Sequence, residues 1–144
     1  MGSIDVDSRQ ATLTRYLENR AVFNDETGSA LCQPSHRLIA VNGAGIDDSA
    51  ARLLEALDSL ARTSDVVVID TPGADSVMSR LAHSYADLVV TPMNDSFIDL
   101  DLLAKIDHRS MEIIGTSPYA EALHEARRVR GRRGHAFEFV EPAM

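Results

Sequence analysis

A run of four β-branched apolar residues is the clearest hydrophobic pattern in the chain. Residues 66–69 follow one another without polar alternation, which predicts a strand buried on both faces, as in a parallel sheet covered by helices. Asp70 ends that strand, and the turn Thr71-Pro72-Gly73 follows. Ligands of open α/β sheets bind at the carboxyl ends of strands, so Asp70 is a candidate nucleotide-site magnesium ligand. The alternative is an aspartate that only caps the turn.

Helical periodicity surrounds this strand. A helix is predicted from Asp47, with an apolar stripe through Leu53, Leu57 and Leu60. A second helix after Gly73, capped by Asp75 or Ser76, carries an inward-facing set of Val77, Met78, Leu81, Ala82 and Tyr85. Residues 86–92 predict another short buried strand, residues 97–106 have roughly helical spacing, and residues 38–41 suggest an edge strand. The alternation of strands and helices predicts an α/β fold with a mostly parallel sheet flanked by helices.

The beginning of the chain places two carboxylates two residues apart. Ile4 and Val6 alternate with Asp5 and Asp7, which predicts the end of a strand, and Ser8 is a candidate N-cap of the helix that follows. Carboxylates spaced by two at the end of a strand point to one face, so the pair is a candidate for a shared functional site. The alternative is a pair that ends the strand and solvates the turn.

The last part of the chain is predicted to be an arginine-rich helix from Ser117-Pro118. Its five arginines are Arg127, Arg128, Arg130, Arg132 and Arg133. They fit a solvated helix end, where cations oppose the helix dipole, or a contact for phosphates of DNA or nucleotide. No aromatic residue lies between them, so stacking on bases has no support. Residues 136–140 alternate as a final strand would.

Composition is that of a soluble globular domain. With 144 residues, 44% hydrophobic and 25% charged, the chain is predicted to form one domain with a real core. No apolar run reaches the ~20 residues that span a bilayer. The single cysteine, Cys32, rules out an internal disulfide framework and favours a cytoplasmic location. Five scattered histidines argue against a histidine metal site, and the net charge of −8 argues against broad wrapping of nucleic acid.

Three strings together resemble the ParA/MinD superfamily of deviant-Walker ATPases, and within it the MipZ family of division-plane regulators. They are residues 4–10 with Glu18-Asn19-Arg20 behind them, residues 65–76, and residues 86–97, which include Thr91-Pro92-Met93-Asn94-Asp95-Ser96-Phe97. The resemblance covers about residues 4–128, and residues 129–144 form a divergent tail.

The resemblance implies roles for the residues that match. Asp70 corresponds to the aspartate that holds Mg²⁺, usually through water, and Thr71-Pro72-Gly73 to a turn that approaches the γ-phosphate of ATP. Asp5 corresponds to a support of the magnesium shell, and Asp7 to the residue that positions the attacking water. The family's ATP-bound homodimer acts on the partner proteins ParB and FtsZ and binds DNA nonspecifically.

The sequence departs from the family pattern at its beginning and its end. A glycine-rich loop with two lysines precedes the paired aspartates in the family, whereas the one lysine in this sequence is Lys105. We therefore expect a partial domain that lacks the P-loop strand, is truncated at both ends and is itself unable to hydrolyse ATP. A non-catalytic interaction module and a general partition ATPase of the ParA type are the alternatives. A GTPase is disfavoured because no Asn-Lys-x-Asp string occurs.

Overall fold

The computed structural model describes residues 1–40, 45–94, 101–107 and 109–134. The chain divides into two compact units, Met1–Ala82 and His83–Met144, each of which is described by itself. The prediction of a single domain over residues 1–144 stays a prediction.

The first unit contains a three-stranded parallel sheet. Its strands are β1 (Gly2–Asp5), β2 (Ser35–Leu38) and β3 (Val67–Asp70), in the order β2-β1-β3. Helix α1 (Thr12–Thr27) connects β1 to β2, helix α2 (Ile46–Ala61) precedes β3, and helix α3 (Val77–Tyr85) begins in this unit. Parallel pairing on both sides of β1 together with connecting helices confirms the predicted α/β fold and its parallel sheet.

The core of this unit lies between the sheet and helix α2. Ile4 and Leu53 are fully buried, and Met78 and Ala82 of α3 belong to the same cluster. This agrees with the apolar stripe predicted for α2 and with the predicted inward positions of Met78 and Ala82 on α3. The prediction that Val77 faces inward is wrong, because Val77 at the start of α3 is 55% exposed. Burial of such side chains provides about 1.5–3 kcal/mol each, so this cluster is the main force that holds the sheet.

Strand β3 is covered on one face and open on the other. Val67 and Ile69 pack against the core, whereas Val66 and Val68 are 57% and 46% exposed. The prediction of burial on both faces is therefore wrong for the described residues. An unbroken β-branched run reports strand propensity as well as burial, and the sequence pattern does not separate the two.

Two element ends differ from their predicted positions. Helix α1 begins at Thr12 after Ala11, whose backbone is left-handed with φ 46°, so Ser8 is not its N-cap. Strand β2 ends at Leu38, where the predicted edge strand was to begin. Ser76 does cap α3 as expected, because its Oγ accepts a hydrogen bond from the Ser79 N–H at 3.0 Å.

The second unit is built from a two-stranded antiparallel sheet and one long helix. Strands β4 (Ala104–Ile106) and β5 (Ile113–Thr116) pair, and helix α4 (Pro118–Arg132) follows Ser117, as predicted. The Ser117 side chain caps α4 by accepting from the Ala120 N–H at 3.0 Å.

Two predictions for the second unit are wrong in the residues that the structure describes. Residues 86–92 form no strand, and Val90 is 76% exposed. A strand needs a hydrogen-bonding neighbour, and in the described part of the chain none pairs with this run. The predicted helical spacing over 97–106 is wrong for the described residues 101–106, which form a turn at 101–103 and a strand at 104–106. Its residues 97–100, the Asp95–Phe97 end of the third string and the predicted strand 136–140 lie outside the described residues.

Among the helices that the structure describes, none is long and apolar enough to cross a membrane.

Candidate functional site

The sheet register brings two of the predicted site residues side by side. Asp5 of β1 pairs with Asp70 of β3, and both strands end at this position. The Val6 N–H donates to the carbonyl of Asp70 at 3.0 Å, which continues the ladder one residue further. Because paired residues of neighbouring parallel strands point to one face, the two carboxylates share the carboxyl edge of the sheet.

Asp5 is anchored inside the protein. Its side chain is 0% exposed, and one carboxylate oxygen accepts from the Asp7 N–H at 3.0 Å. The other oxygen accepts from the N–H of Thr14 at 3.0 Å and from its hydroxyl at 2.8 Å. Thr14 lies in the first turn of α1, where free backbone N–H groups and the helix dipole favour a negative charge. The buried charge is thus compensated by three hydrogen bonds.

Asp70 is the more accessible carboxylate of the pair. Burial raises its pKa above the ordinary value of 3.8, the negative charges of Asp5 and Asp7 raise it further, and hydrogen bonds from the backbone of Leu13 and Thr71 lower it. The structure therefore brings Asp5 and Asp7 close enough to Asp70 to repel its charge. A cation or a proton at this edge relieves that repulsion.

Asp7 and the turn after β3 form the outer part of the site. An Asp7 carboxylate oxygen accepts from the Gln10 N–H at 3.2 Å. Thr71 and Pro72 are half-buried and Gly73 is exposed. A Cβ placed on Gly73 would meet no atom within 4 Å, so the described protein itself does not require glycine there. The predicted role of Thr71-Pro72-Gly73 in approaching a phosphate stays a prediction.

Three further polar residues, which the sequence did not indicate, belong to the site. The Thr14 hydroxyl lies 2.9 Å from Nε2 of His36, and Nδ1 of His36 lies 2.9 Å from the hydroxyl of Ser3. His36 belongs to β2, and both of its ring nitrogens have partners. Nothing in the local sequence around His36 signals this, because the contacts join residues 22 and 33 positions apart.

The carboxylate edge fits a magnesium ion that takes few of its ligands from the protein. In the described ranges no group of three or more His, Cys, Asp or Glu side chains is arranged to hold a metal ion. Mg²⁺ is usually bound by one or two carboxylates, several waters and substrate phosphates, all of them oxygen ligands. Asp70, half-buried and crowded by negative charge, fits one such carboxylate.

The arginines of α4 are partly used within the second unit. Arg130 is 7% exposed and donates to the carbonyl of Tyr85 and to the Asp87 carboxylate. The Arg133 guanidinium lies 4.2 Å from the ring centroid of Tyr85, and Arg128 pairs with Glu125. These contacts account for three of the five arginines without phosphate, which agrees with the structural interpretation of the helix.

Comparison with known proteins distinguishes between the ATPase and GTPase interpretations of this carboxylate edge. The family model described as ATPase MipZ matches residues 1–140. The chain belongs to the MipZ ATPase family. It is therefore a member of a family of cell-division ATPases, and the GTPase alternative loses its support. A search of curated proteins gives no match.

Membership of the MipZ family confirms the resemblance that the three strings indicated, and the match reaches beyond residue 128 into the predicted divergent tail. The match assigns no role to any single residue. The roles of the three aspartates and of the turn after β3 therefore rest on the sheet geometry and on the resemblance.

Proposed function

We propose that this chain carries the magnesium- and water-positioning part of an ATP-dependent regulator of cell division and chromosome partitioning. The observation that supports this most is the register of Asp5 with Asp70 at the carboxyl edge of the parallel sheet, with Asp7 directly after β1. In that arrangement Asp70 holds Mg²⁺, usually through water, and Asp5 keeps the edge negative while it stays buried. When bound, Mg²⁺ supplies charge neutralisation for the phosphates.

Asp7 is the residue proposed to orient water. Its backbone N–H is committed to Asp5, which fixes the main chain, while its side chain lies at the outer side of the site. Orienting the nucleophile is a large part of what a protein contributes to phosphoryl transfer. Thr71, Pro72 and Gly73 bring the backbone towards the phosphates, and the open space at Gly73 supports close approach.

The 144-residue chain by itself is proposed not to hydrolyse ATP. Its one lysine, Lys105, lies in β4 of the second unit, so the sequence of the first unit, Met1–Ala82, contains no lysine. Without a glycine-rich loop, no row of backbone N–H groups surrounds the phosphates.

Binding of a fluorescent ATP analogue tests this proposal. The purified chain with Mg²⁺ is expected to show no saturable binding at micromolar concentrations and no phosphate release. Micromolar binding that Asp70→Asn abolishes would contradict the expected lack of nucleotide binding, while it would support the proposed site. Phosphate release that the same variant abolishes would contradict the proposed inability to hydrolyse ATP. Asp65→Asn, a change at an exposed carboxylate before β3, is the matched control.

The partners of this chain are inferred from its family, and we propose them on that ground. An ATP-bound homodimer, ParB, FtsZ and nonspecific DNA are the expected partners, in the cytoplasm. The alternative of a non-catalytic interaction module is favoured by the lack of any lysine in the sequence of Met1–Ala82. Inhibition of FtsZ polymerisation by the chain, measured by light scattering without nucleotide, would favour the module. Inhibition only when ATP is present would favour the ATPase.

A further inference from the structure

A chain of hydrogen bonds leads from the interior of the sheet to the Asp5 carboxylate. It begins at the Ser3 hydroxyl on β1, passes through the two ring nitrogens of His36 on β2, and reaches the Thr14 hydroxyl on α1. From there it ends on the Asp5 carboxylate at 2.8 Å. Ser3 and Asp5 are 2% and 0% exposed, so water competes little for either end.

The direction of these bonds follows from counting hydrogens. An ionised carboxylate only accepts, so the single hydroxyl hydrogen of Thr14 points to Asp5. The Thr14 oxygen must then accept from Nε2 of His36, which therefore carries a hydrogen in both the neutral and the protonated ring. In the neutral ring Nδ1 accepts from Ser3. The arrangement selects one tautomer of His36.

We propose that Thr14 and His36 are positioning residues that fix the Asp5 carboxylate at the candidate magnesium site. This inference rests on the proposed function, because the two side chains support the proposed magnesium site from outside it. They touch no ligand. They act by holding one Asp5 oxygen, so that the other stays bound to the Asp7 N–H and the backbone between β1 and α1 keeps its shape.

Metal sites commonly depend on such outer support. Removal of a group that orients a ligand typically lowers metal affinity by about 10- to 100-fold. Thr14→Val removes the hydroxyl at nearly constant volume, whereas Thr14→Ser keeps it. Thr12→Val, at an exposed threonine of the same helix turn, is the control for introducing valine near the helix start. His36→Phe removes both ring nitrogens from the other end.

The first readout is the tautomer of His36, measured by ¹⁵N NMR of the whole chain at about pH 8, where an ordinary imidazole is neutral. The wild-type protein is expected to show the Nε2–H form alone, Thr14→Ser to retain it, and Thr14→Val to show both forms. A mixture of tautomers in the wild-type protein overturns the proposal, and this result needs no variant.

The second readout is the position of the Asp5 carboxylate, followed by its side-chain ¹³C shift and by the amide signals of Asp7 and Thr14. We expect changes in Thr14→Val and His36→Phe, and wild-type signals in Thr14→Ser and Thr12→Val. Equal changes in Thr12→Val and Thr14→Val contradict a specific role of the hydroxyl.

The third readout is Mn²⁺ as a paramagnetic probe for the oxygen-ligated site, measured by broadening of the amide signals of Asp70, Thr71 and Gly73. Thr14→Val is expected to weaken the apparent affinity about tenfold, and Thr14→Ser to restore it. Equal affinity in both variants overturns the proposal. No site-specific broadening in the wild-type protein contradicts the proposed function instead, and the two earlier readouts then decide the positioning role.

Discussion

Replacing Asp5 by asparagine tests whether its hydrogen bonds outweigh the repulsion that it causes. Asparagine keeps one oxygen acceptor, which can stay on the N–H and hydroxyl of Thr14. Its NH₂ group then faces the Asp7 N–H, so that hydrogen bond is lost, and the two that remain accept through a neutral oxygen. Hydrogen bonds to a charged group contribute about 1.5–3 kcal/mol each, and those between neutral groups about 0.5–1.5 kcal/mol. One lost bond and two bonds weakened by about 1 kcal/mol each give a gross loss of about 3.5–5 kcal/mol.

The same change removes a repulsion that destabilises the folded state. Paired residues of neighbouring strands lie about 5 Å apart, and two unit charges at that distance repel by about 1–3 kcal/mol between water-like and partly buried conditions. Asp70 is only half-buried, so solvent screening favours the lower end. The hydrogen bonds win, and we expect Asp5→Asn to lower the free energy of unfolding by about 2–4 kcal/mol.

Urea unfolding at pH 7, followed by NMR signals of amides in Met1–Ala82, measures this difference for the first unit alone. Signals of the second unit serve as the internal reference. A variant as stable as the wild-type protein, or more stable, would refute the reasoning, because it would mean that repulsion at the carboxylate edge exceeds the value of the anchoring hydrogen bonds.

Four further changes have expected outcomes. Asp70→Asn is expected to raise the free energy of unfolding at pH 7. Because the pKa of Asp70 is raised in the folded state, the stability of the wild-type protein falls as the pH rises from below 3.8 through the folded-state pKa. The gain from Asp70→Asn, measured by urea unfolding, should therefore vanish in acid. Leu53→Ala, at a fully buried position, should cost about 2–5 kcal/mol in urea unfolding. Ala11→Gly should stabilise by about 0.5–1 kcal/mol in thermal melts, since φ is 46° there. Ser117→Ala should cost the second unit about 1–2 kcal/mol through the lost cap of α4, measured by its amide signals.

Matched controls separate these mechanisms from general sensitivity. Asp65→Asn removes an exposed carboxylate and should show no gain at pH 7. Val66→Ala, at a 57% exposed position, should stay within about 0.5 kcal/mol of wild type. Ala51→Gly within helix α2 should destabilise by about 1 kcal/mol, opposite in sign to Ala11→Gly. Ser117→Thr should retain the cap. A control that behaves like its partner contradicts the stated cause.

The part of the site that lies along single strands was predictable from the sequence. Asp5 and Asp70 each follow apolar strand residues, and the carboxyl ends of parallel strands meet at one edge. Local pattern was sufficient because strand, carboxylate and turn are consecutive in the chain. The pairing partner of Asp5 became specific only in the structure, where the register places Asp70 beside it.

The rest depended on contacts between distant residues. The contact of His36 with Thr14 crosses from β2 to α1, and no periodicity encodes it. Residues 86–92 have the composition of a strand, but a strand exists only with a neighbour, and composition does not reveal whether one is present. The open face of β3 was missed for the same reason, since burial is a property of what packs against a residue.

Three residues in energetically unfavourable environments lie at or near the carboxylate edge. Asp5 is a fully buried charge, Asp70 has a raised pKa beside two other carboxylates, and Ala11 between β1 and α1 has a left-handed backbone that an alanine rarely adopts. The raised pKa of Asp70 and the left-handed backbone of Ala11 lower stability, and the burial of the Asp5 charge has to be offset by its three hydrogen bonds. Proteins usually accept such conflicts where function requires them. In helix α2 and in the core beneath the sheet, by contrast, apolar residues occupy the buried positions. This conflict therefore marks the carboxylate edge as the candidate site by an argument that does not depend on the family match.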